Sequence, residues 1–533
     1  MKRLFSYILT ILMILSLTAC GSDSSGQVIS YDIPAPVKNL DPQFATSETA
    51  RMIISNTFEG LFRQLPSGKL ENRIAQSYDV SDDQLTYTFH LRDDAIWTND
   101  DPVTAYDFAF ALRRMFDSAA FSPFATQFSA IQNAKRILDG EAGKEALGVT
   151  ASNSQTLVIR LERPDNLLPE RLASSYAMPC NQEFFDSTSA RYGLTLKNMI
   201  FNGPFIVRVW NDGDILSLRR NSNYVDAESV IAGGANLLIP SVSKDEETTL
   251  DPIKRFLSGE TDACKINYET LPNVLEQKGT YQAFEDTVWV MIFNTSNPSL
   301  SNPDIRRALS YTVDRTLFDP YLPGNLHTTS MLIPPAVSLL GGSYREKAGN
   351  VSPILPSPEI GKRYYESGLS ALGLSQLPFK ELLVCDENSL PLLTGFIQQS
   401  WQKHLGLYTG LVKLSRDDLI SRISKGDFEA AVVPLSASYS SPDSILSMFK
   451  SYSTQNYAAY HSDQFDSLLL SIATMDSGKQ YTAYMQAEQQ LLEECIVIPM
   501  FFETSYYAMA KGVSDIKFSP FLSGIYFKNA RKE

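Results

Sequence analysis

The chain has 533 residues, 44% of them hydrophobic and 20% charged, with 60 acidic side chains against 46 basic and a net charge of −14. That size gives room for several domains' worth of core, and that balance excludes a disordered chain. No basic run and no aromatic/basic box accompanies the acidic balance, which argues against a nucleic-acid partner. In chain order the first feature is a positive start, Lys2 and Arg3, followed by an apolar run from Phe5 to Leu17. The run is shorter than the roughly 20 residues a membrane span needs, and it fits the apolar region of a secretory signal. No later apolar run is long enough to span a membrane, so the rest of the chain reads as soluble.

The tetrapeptide Leu17-Thr18-Ala19-Cys20 resembles a bacterial lipobox. In such sequences cleavage falls just before the cysteine, and its thiol carries a diacylglycerol. Residues 1–19 are then a signal peptide and 20–27 a lipid-anchored tether, Gly/Ser-rich and flexible. Each buried CH₂ of an acyl chain contributes about 0.8 kcal/mol, so two or three chains hold a domain at a membrane. The expected place of work is the outer face of the cytoplasmic membrane: extracellular in a Gram-positive cell, periplasmic otherwise.

The body of the chain mixes strands and helices without strict alternation. "LTYTFHL" (85–91) sets Leu85, Tyr87, Phe89 and Leu91 against Thr86, Thr88 and His90, the period of a half-buried strand. His90 then belongs to the solvated face. "TLVIRL" (156–161) and "LSLR" (216–219) alternate likewise. Thr104 with Asp107 makes a variant capping box ahead of Phe108, Leu112, Met115 and Phe116. Ile305, Ala308, Leu309 and Val313 form a second helical stripe. Ser415 with Asp418 opens a third helix, carrying Leu419, Ile420 and Ile423 and ending at Gly426. Phe465, Leu468, Leu469 and Ile472 mark a fourth. Two runs, "VWVMIF" (288–293) and "IVIPMFF" (496–502), are apolar without alternation and predict strands buried on both faces. Two such strands bounding one block suit a two-lobed protein with paired crossovers.

Catalytic signatures are missing: there is no GxSxG, P-loop, HExxH or strand-borne GxGxxG. His90, His327, His404 and His461 have no metal-ligand spacing with one another or with a cysteine. The pairs Asp93-Asp94, Asp100-Asp101 and Glu493-Glu494 read as solvated. Apart from Cys20, the cysteines are Cys180, Cys264, Cys385 and Cys495, far apart and without a CxxC. Disulfides between them and four buried free thiols both remain open. The expectation is no enzyme, no metal and no cofactor.

From Leu40 onward the chain resembles the oligopeptide/dipeptide-binding family, the extracytoplasmic solute-binding proteins of peptide ABC importers. The residues are "LDPQFATSETARMIISNTFEGLF" (40–62), "AQSYDVSDDQLTYTFHLRDDAIWTNDDPVTAYDFAFALRRM" (75–115) and "NGPFIVRVWNDGDILSLRRNSNYVD" (202–226). They continue with "RFLSGETDA" (255–263), "FNTSNPSLSNPDIRRALSYTVDR" (293–315), "YSSPDSILSMF" (439–449) and "AEQQLLEECIVIPMFF" (487–502). The resemblance covers nearly all of the chain beyond the tether and fits the lipobox.

The resemblance implies an α/β, two-lobed periplasmic-binding-protein-like fold of type II, in the large peptide-binding subclass, with an extra inserted domain and a hinge of two crossover strands. Lobe I is 28–66, 196–286 and 500–533; domain II is 67–195; lobe III is 287–499. A peptide held extended between the lobes pairs its backbone with strand edges, and the loaded receptor, a monomer, docks on membrane-bound permease subunits. The positions carried over as ligand-lining are Pro36 and Val37 in lobe I, Phe124 in domain II, and Leu435, Ser436, Ala437, Ser438 and Tyr439 in lobe III.

One position departs from the family pattern. The aspartate that commonly meets the ligand ammonium sits four residues before the proline of the stretch matching "SASYSSPDSIL"; here that residue is Ser438. The preceding "AAVVPL" (430–435) brings no arginine either. Three readings stay open. The acid comes from elsewhere, for instance Glu503 or Asp443; the ligand is a longer peptide whose ends lie outside the pocket; or the ligand is not a peptide but a nickel chelate, sugar or other solute. A peptide-sensing receptor without import is a further alternative, and a hydrolase another.

Overall fold

The structure, a computed structural model, describes residues 26–34, 36–65, 67–210, 215–239, 251–349, 351, 354–387, 389–437, 439–453, 455–521 and 524–533. The signal segment, Cys20 and Ser438 lie outside the described residues.

One eleven-stranded sheet runs through the molecule. Its strands in chain order are β1 (Val28–Asp32), β2 (Phe205–Trp210), β3 (Ile215–Arg220), β4 (Gly234–Leu238), β5 (Ala263–Ile266), β6 (Thr280–Phe293), β7 (Leu326–Thr328), β8 (Glu381–Cys385), β9 (Gly410–Leu414), β10 (Ala430–Ser436) and β11 (Val497–Met509). Across the sheet the order is β9-β8-β10-β6-β11-β5-β1-β4-β3-β2, with β7 paired to β11.

The two non-alternating apolar runs are halves of β6 and β11. These long strands pair antiparallel from Thr280 opposite Met509 to Ile292 opposite Val497. Two apolar cores meet along them. Val288–Phe293 and Val497–Phe502 belong to a core built from the second lobe, with Trp401 and Leu383. Tyr507 and Met509 belong to a core built from the first lobe, with Ile29, Phe58 and Phe205. A sequence buried on both faces can serve only where structure packs on both sides of the sheet, and Val288–Phe293 lie in that situation, each no more than 2% exposed.

A separate four-stranded antiparallel sheet, Ala75–Val80, Thr86–Leu91, Thr156–Arg160 and Val149–Asn153 in spatial order, forms the added unit. Tyr87, Phe89 and Leu91 point into its core while His90 faces out against Asp79. Its apolar core continues into the first lobe without a break. Asp107 caps the helix Ala105–Arg114 by accepting from the Thr104 backbone N–H at 2.7 Å. Met115 and Phe116 lie just past the helix end yet are fully buried. In β3 the alternation is broken by Ser217, buried because its hydroxyl donates to Asn236 Oδ1 at 3.0 Å. The stripes at 305, 419 and 465 fall on the helices Pro303–Tyr311, Arg416–Ser424 and Asp463–Ile472, except that Val313 is buried just past the first and the second ends two residues before Gly426. Cys180, Cys264, Cys385 and Cys495 are free and buried. Among the described residues no helix is long and apolar enough to cross a membrane.

Candidate functional site: the hinge face and the inter-domain junction

Between the two cores the crossover strands turn polar. β6 carries a bulge at Asp286, between the pairs Glu285–Thr504 and Thr287–Glu503. The extra residue redirects its side chain along the strand, and Asp286 Oδ1 accepts from Ser505 Oγ at 3.1 Å and Thr287 Oγ1 at 3.2 Å. Thr287 Oγ1 also shares a hydrogen bond of 2.7 Å with Ser436 Oγ, at the end of β10. Glu503 accepts from the Trp289 indole N–H at 2.7 Å, and the Arg416 guanidinium covers the Trp289 ring at 5.5 Å. This row joins three adjacent strands. Ser436 is exposed, and Thr287, Glu503 and Ser505 are half-buried.

The electrostatics of the row are set by burial. Asp286 is 7% exposed, and its carboxyl is pushed up to about 6, chiefly by burial and further by Glu503, against the pull of Lys265 and its hydrogen bonds to Ser505 and Thr287. A carboxyl placed this way gains from any cation brought to it. Arg416 is already committed to Glu387, with Nη2 2.7 Å from Oε2.

Beyond β10 the chain enters a second polar region, where the added unit touches the second lobe. The Asn166 N–H donates to the Ala473 carbonyl at 3.3 Å, and nearby the Ser440 N–H donates to Gln64 Oε1, at the edge of the first lobe, at 3.4 Å. A cavity of about 290 Å³ lies at this junction, lined by Gln127, Asp165 and Arg171 on one side and Tyr439, Asp443, Lys450 and Tyr484 on the other. Its buried charges are paired in place, while the exposed Arg163 donates to Ser129. Arg171 is ion-paired with Asp165. The Tyr439 hydroxyl donates to Asp443 at 2.6 Å, and Lys450 lies 3.6 Å from the same carboxylate. Burial opposes the Asp443 charge, but Lys450 and Arg171 prevail and hold its carboxyl below the usual range.

The residues expected to line a ligand divide as follows. Ser436 stands in the hinge row and Tyr439 in the junction cavity. Phe124 is half-buried, its ring stacked on Tyr176 at 4.7 Å, and Thr126 and Gln127 just after it line the cavity. Leu435 and Ala437 are buried, so they offer backbone rather than side chain. Pro36 is exposed; Val37 is buried, and its carbonyl accepts from the Trp210 indole N–H at 2.9 Å. Neither lines the cavity. Of the two alternative acids, Asp443 is spent on Tyr439 and Lys450, whereas Glu503 stands in the hinge row. Sequence reasoning missed Asp286, Thr287 and Ser505. The signal was there in "EDT" (285–287) and "ETS" (503–505), polar triplets interrupting two apolar strands. Among the described residues no group of histidine, cysteine and carboxylate side chains could hold a metal ion.

The pattern of the bacterial extracellular solute-binding proteins, family 5 (middle part) matches residues 69–457. The chain is 26% identical to the oligopeptide-binding protein OppA of Bacillus subtilis, with 99% of each chain covered. It is 26% identical to the probable deoxycholate-binding periplasmic protein YgiS of Escherichia coli, over 90% of this chain and 88% of that one. Among solved structures it is similar to Listeria monocytogenes OppA bound to peptide, at a TM-score of 0.71 and 22% identity, covering 95% of this chain and 99% of that one. The structural likeness carries the fold, a two-lobed periplasmic-binding-protein architecture. Given the extent of the family match, the protein belongs to the bacterial extracellular solute-binding proteins, family 5.

Proposed function

We propose that the protein is a lipid-anchored receptor that captures a peptide between its lobes and delivers it to the membrane subunits of an ABC importer. Lobe I comprises 28–66, 196–286 and 500–533, domain II 67–195 and lobe III 287–499, with Cys20 as the anchor and the receptor working as a monomer. The observation that carries the reading is the hinge row. Between two apolar cores, the paired crossover strands and the neighbouring end of β10 present the half-buried Thr287, Ser505 and Glu503 and the exposed Ser436, with the Asp286 carboxyl buried beneath them. An extended peptide laid there can pair its main chain with strand edges, which gives affinity with little reading of side chains. Pro36, Val37, Phe124, Leu435, Ser436, Ala437, Ser438 and Tyr439 stay the positions that the family resemblance assigns to the ligand. Relatives named as oligopeptide- and dipeptide-binding proteins support the ligand class. Asp286 supplies the acid that Ser438 cannot. Closure follows if the ligand binds the closed form better than the open one.

A second reading keeps the scaffold and changes the ligand to a non-peptide solute. It is favoured by the absence of any charged side chain on β10 and by the relative named as a probable deoxycholate-binding protein.

The deciding experiment is thermal unfolding of the full chain against pools of dipeptides to decapeptides, free and N-acetylated. A ligand at 100 times its Kd adds about 2.7 kcal/mol. Peptide pools raising the midpoint support the first reading. No shift with any pool, together with a shift on a steroid or other non-peptide solute, moves the protein to the second.

A further inference from the structure

We propose that two hairpins, one built on each apolar core, form a clasp that fastens the lobes when they close, and that Gly68 is the residue that lets it seat. The inference rests on the receptor reading above and deepens it. The first hairpin pairs Phe62–Gln64 with Leu70–Asn72. The second pairs Ser338–Leu339 with Gly342–Ser343 through the two-residue turn Leu340-Gly341. Phe62 is buried in the core of the first lobe and Leu339 in that of the second.

Each hairpin is fixed at its base by a buried glutamate. In the first lobe Glu59, 2% exposed, accepts from Arg63 at 2.9 Å, from Arg73 at 3.1 Å and from the Tyr224 hydroxyl at 2.6 Å. Arg63 lies in the first strand of its hairpin, and Arg73 directly follows the second. In the second lobe Glu488, fully buried, accepts from Arg345 at 2.6 Å and from the Leu332 N–H at 2.8 Å. Arg345 lies two residues past its hairpin, and the Tyr481 hydroxyl donates to the Leu339 carbonyl at 2.5 Å. A buried polar network satisfied from several sides is rigid, so each hairpin moves as one piece with its lobe.

The tips of the two hairpins meet. A Cβ on Gly68 would stand 2.2 Å from Ser338 Oγ and 3.0 Å from Ser440 Oγ, and one on Gly341 would stand 3.4 Å from the Lys69 Cβ. Ser338 and Ser440 share a hydrogen bond between their hydroxyls at 2.6 Å, and the Ser440 N–H donates to Gln64 Oε1 at 3.4 Å. Ser440 directly follows Tyr439, which lines the junction cavity. Leu340 holds φ +53° at the exposed tip, a strained conformation for leucine that only its surroundings can maintain. Among the described residues no ion pair joins the tips. The contact is close packing and one long hydrogen bond, weak in attraction but exacting in shape. It therefore cannot hold the lobes shut without a ligand, yet any side chain at 68 obstructs the closed form. Closing about a hinge selects the form in which such surfaces fit.

Two sets of full-chain variants test the clasp, with a pool of free tripeptides to octapeptides as the probe. Lys69→Cys combined with Gly341→Cys brings two thiols near the Cβ separation of about 3.5–4.5 Å that a disulfide needs. Oxidised after loading, this variant should release peptide about tenfold or more slowly than after reduction. Oxidised before loading, it should take peptide up more slowly by a similar factor. Each single-cysteine variant should show neither effect, and Gly341→Cys alone carries the same backbone strain as the pair. Gly68→Asn tolerates the left-handed backbone but meets Ser338, and calorimetry should show binding weakened about tenfold, because less of the protein reaches the closed form. Adding Ser338→Gly should restore most of that loss. Exchange that ignores oxidation, or full affinity in Gly68→Asn, would overturn the clasp while leaving peptide binding intact. A wild type that binds no pool overturns the peptide reading, and small-angle scattering then decides the clasp. The oxidised double-cysteine variant should be more compact than the reduced one, and an equal radius of gyration would overturn the proposal.

Discussion

Asp41 and Arg114 form one buried ion pair, with Nη2 2.6 Å from Oδ2, under a guanidinium that also lies 4.2 Å from the centre of the Phe185 ring. The two residues come from "LDPQ" and "FALRRM", two of the stretches that carry the family resemblance. Gln43 extends the cluster: its Oε1 accepts from Arg114 at 2.7 Å and its Nε2 donates to the Met178 carbonyl at 2.9 Å. The motif is therefore engaged in buried contacts between residues 41–43 and the helix that carries Arg114. Removing one partner of a buried pair leaves an uncompensated charge and costs about 3–5 kcal/mol. Arg114→Leu should lower stability by about that much, and Asp41→Asn by less, because burial already pushes the Asp41 carboxyl up despite Arg114. Urea unfolding of each variant checks this. A loss below 1 kcal/mol for Arg114→Leu, on the order of a surface pair, would contradict it.

Gly193 braces the same cluster. It has φ +80°, and a Cβ there would stand 2.4 Å from the Asp41 backbone nitrogen and 2.6 Å from its Cβ. Its carbonyl accepts from the Leu40 N–H at 2.8 Å. Gly193→Ala brings both left-handed strain and a clash with backbone that cannot swing away. The expected loss is about 2 kcal/mol or more, read as a fall in Tm, whereas Gly140→Ala, with φ +79° but open space around it, should cost only the strain.

Much of this was legible in the sequence. The paired crossover strands follow from two apolar runs with no polar alternation, since only strands covered on both sides tolerate them. The capping at Thr104 and Ser415 and the exposed position of His90 follow from spacing alone. The site was less legible, because its polar groups are set by register and not by local pattern. Asp286 points where it does through a bulge, and it meets Ser505 only because β6 and β11 are paired in this register.

Ligand affinity should depend on pH through Asp286. Its carboxyl is pushed up to about 6, so at pH 5 it is mostly protonated and cannot balance a ligand cation, while at pH 7 it can. Affinity for a free-amine peptide should rise between pH 5 and 7 with an inflection near 6. N-acetylated peptide should show no such rise. The groups facing Asp286 are Lys265, Glu503, Ser505 and Thr287, and none of the first three replaces it: Lys265 is a cation, Glu503 is held by Trp289 and Ser505 is neutral. Asp286→Asn should therefore flatten the profile and weaken free-amine peptide about tenfold at pH 7. Calorimetry across pH reads both outcomes.

Anchoring by Cys20 makes a prediction independent of ligand. Cells expressing the chain with labelled palmitate should incorporate label into it, and Cys20→Ala should abolish incorporation. Among the described residues no helix is long and apolar enough to cross a membrane, and the acyl chains on Cys20 are the proposed anchor. Cys20→Ala protein should then appear in the medium or periplasm. Label retained in Cys20→Ala would place the modification elsewhere, and the lipobox reading would fall.

The pH dependence of folding should run in the opposite sense to that of binding, and Glu170 should contribute strongly to it. One carboxylate oxygen of Glu170 is buried without a hydrogen-bond partner, and its carboxyl is pushed up to about 7, by burial first and by Asp165, against Arg171 and a backbone hydrogen bond. A carboxyl whose pKa is raised in the folded state gives up its proton more easily when the chain unfolds. The unfolded chain therefore binds fewer protons between the ordinary carboxylate range, about 4.5, and 7, and stability falls as pH rises through that window. The full difference corresponds to about 3–4 kcal/mol at one pKa unit per 1.36 kcal/mol. Glu170→Gln keeps the shape, removes the charge and should flatten this part of the profile, making the variant more stable than wild type at pH 8 and nearly equal to it at pH 4.5. Asp286 falls in the same direction between about 4 and 6, so the variant's curve should still slope below pH 6. Urea midpoints from pH 4 to 8 distinguish the two contributions, and a Glu170→Gln curve parallel to wild type between pH 6 and 7 would show that Glu170 is solvated in the folded protein.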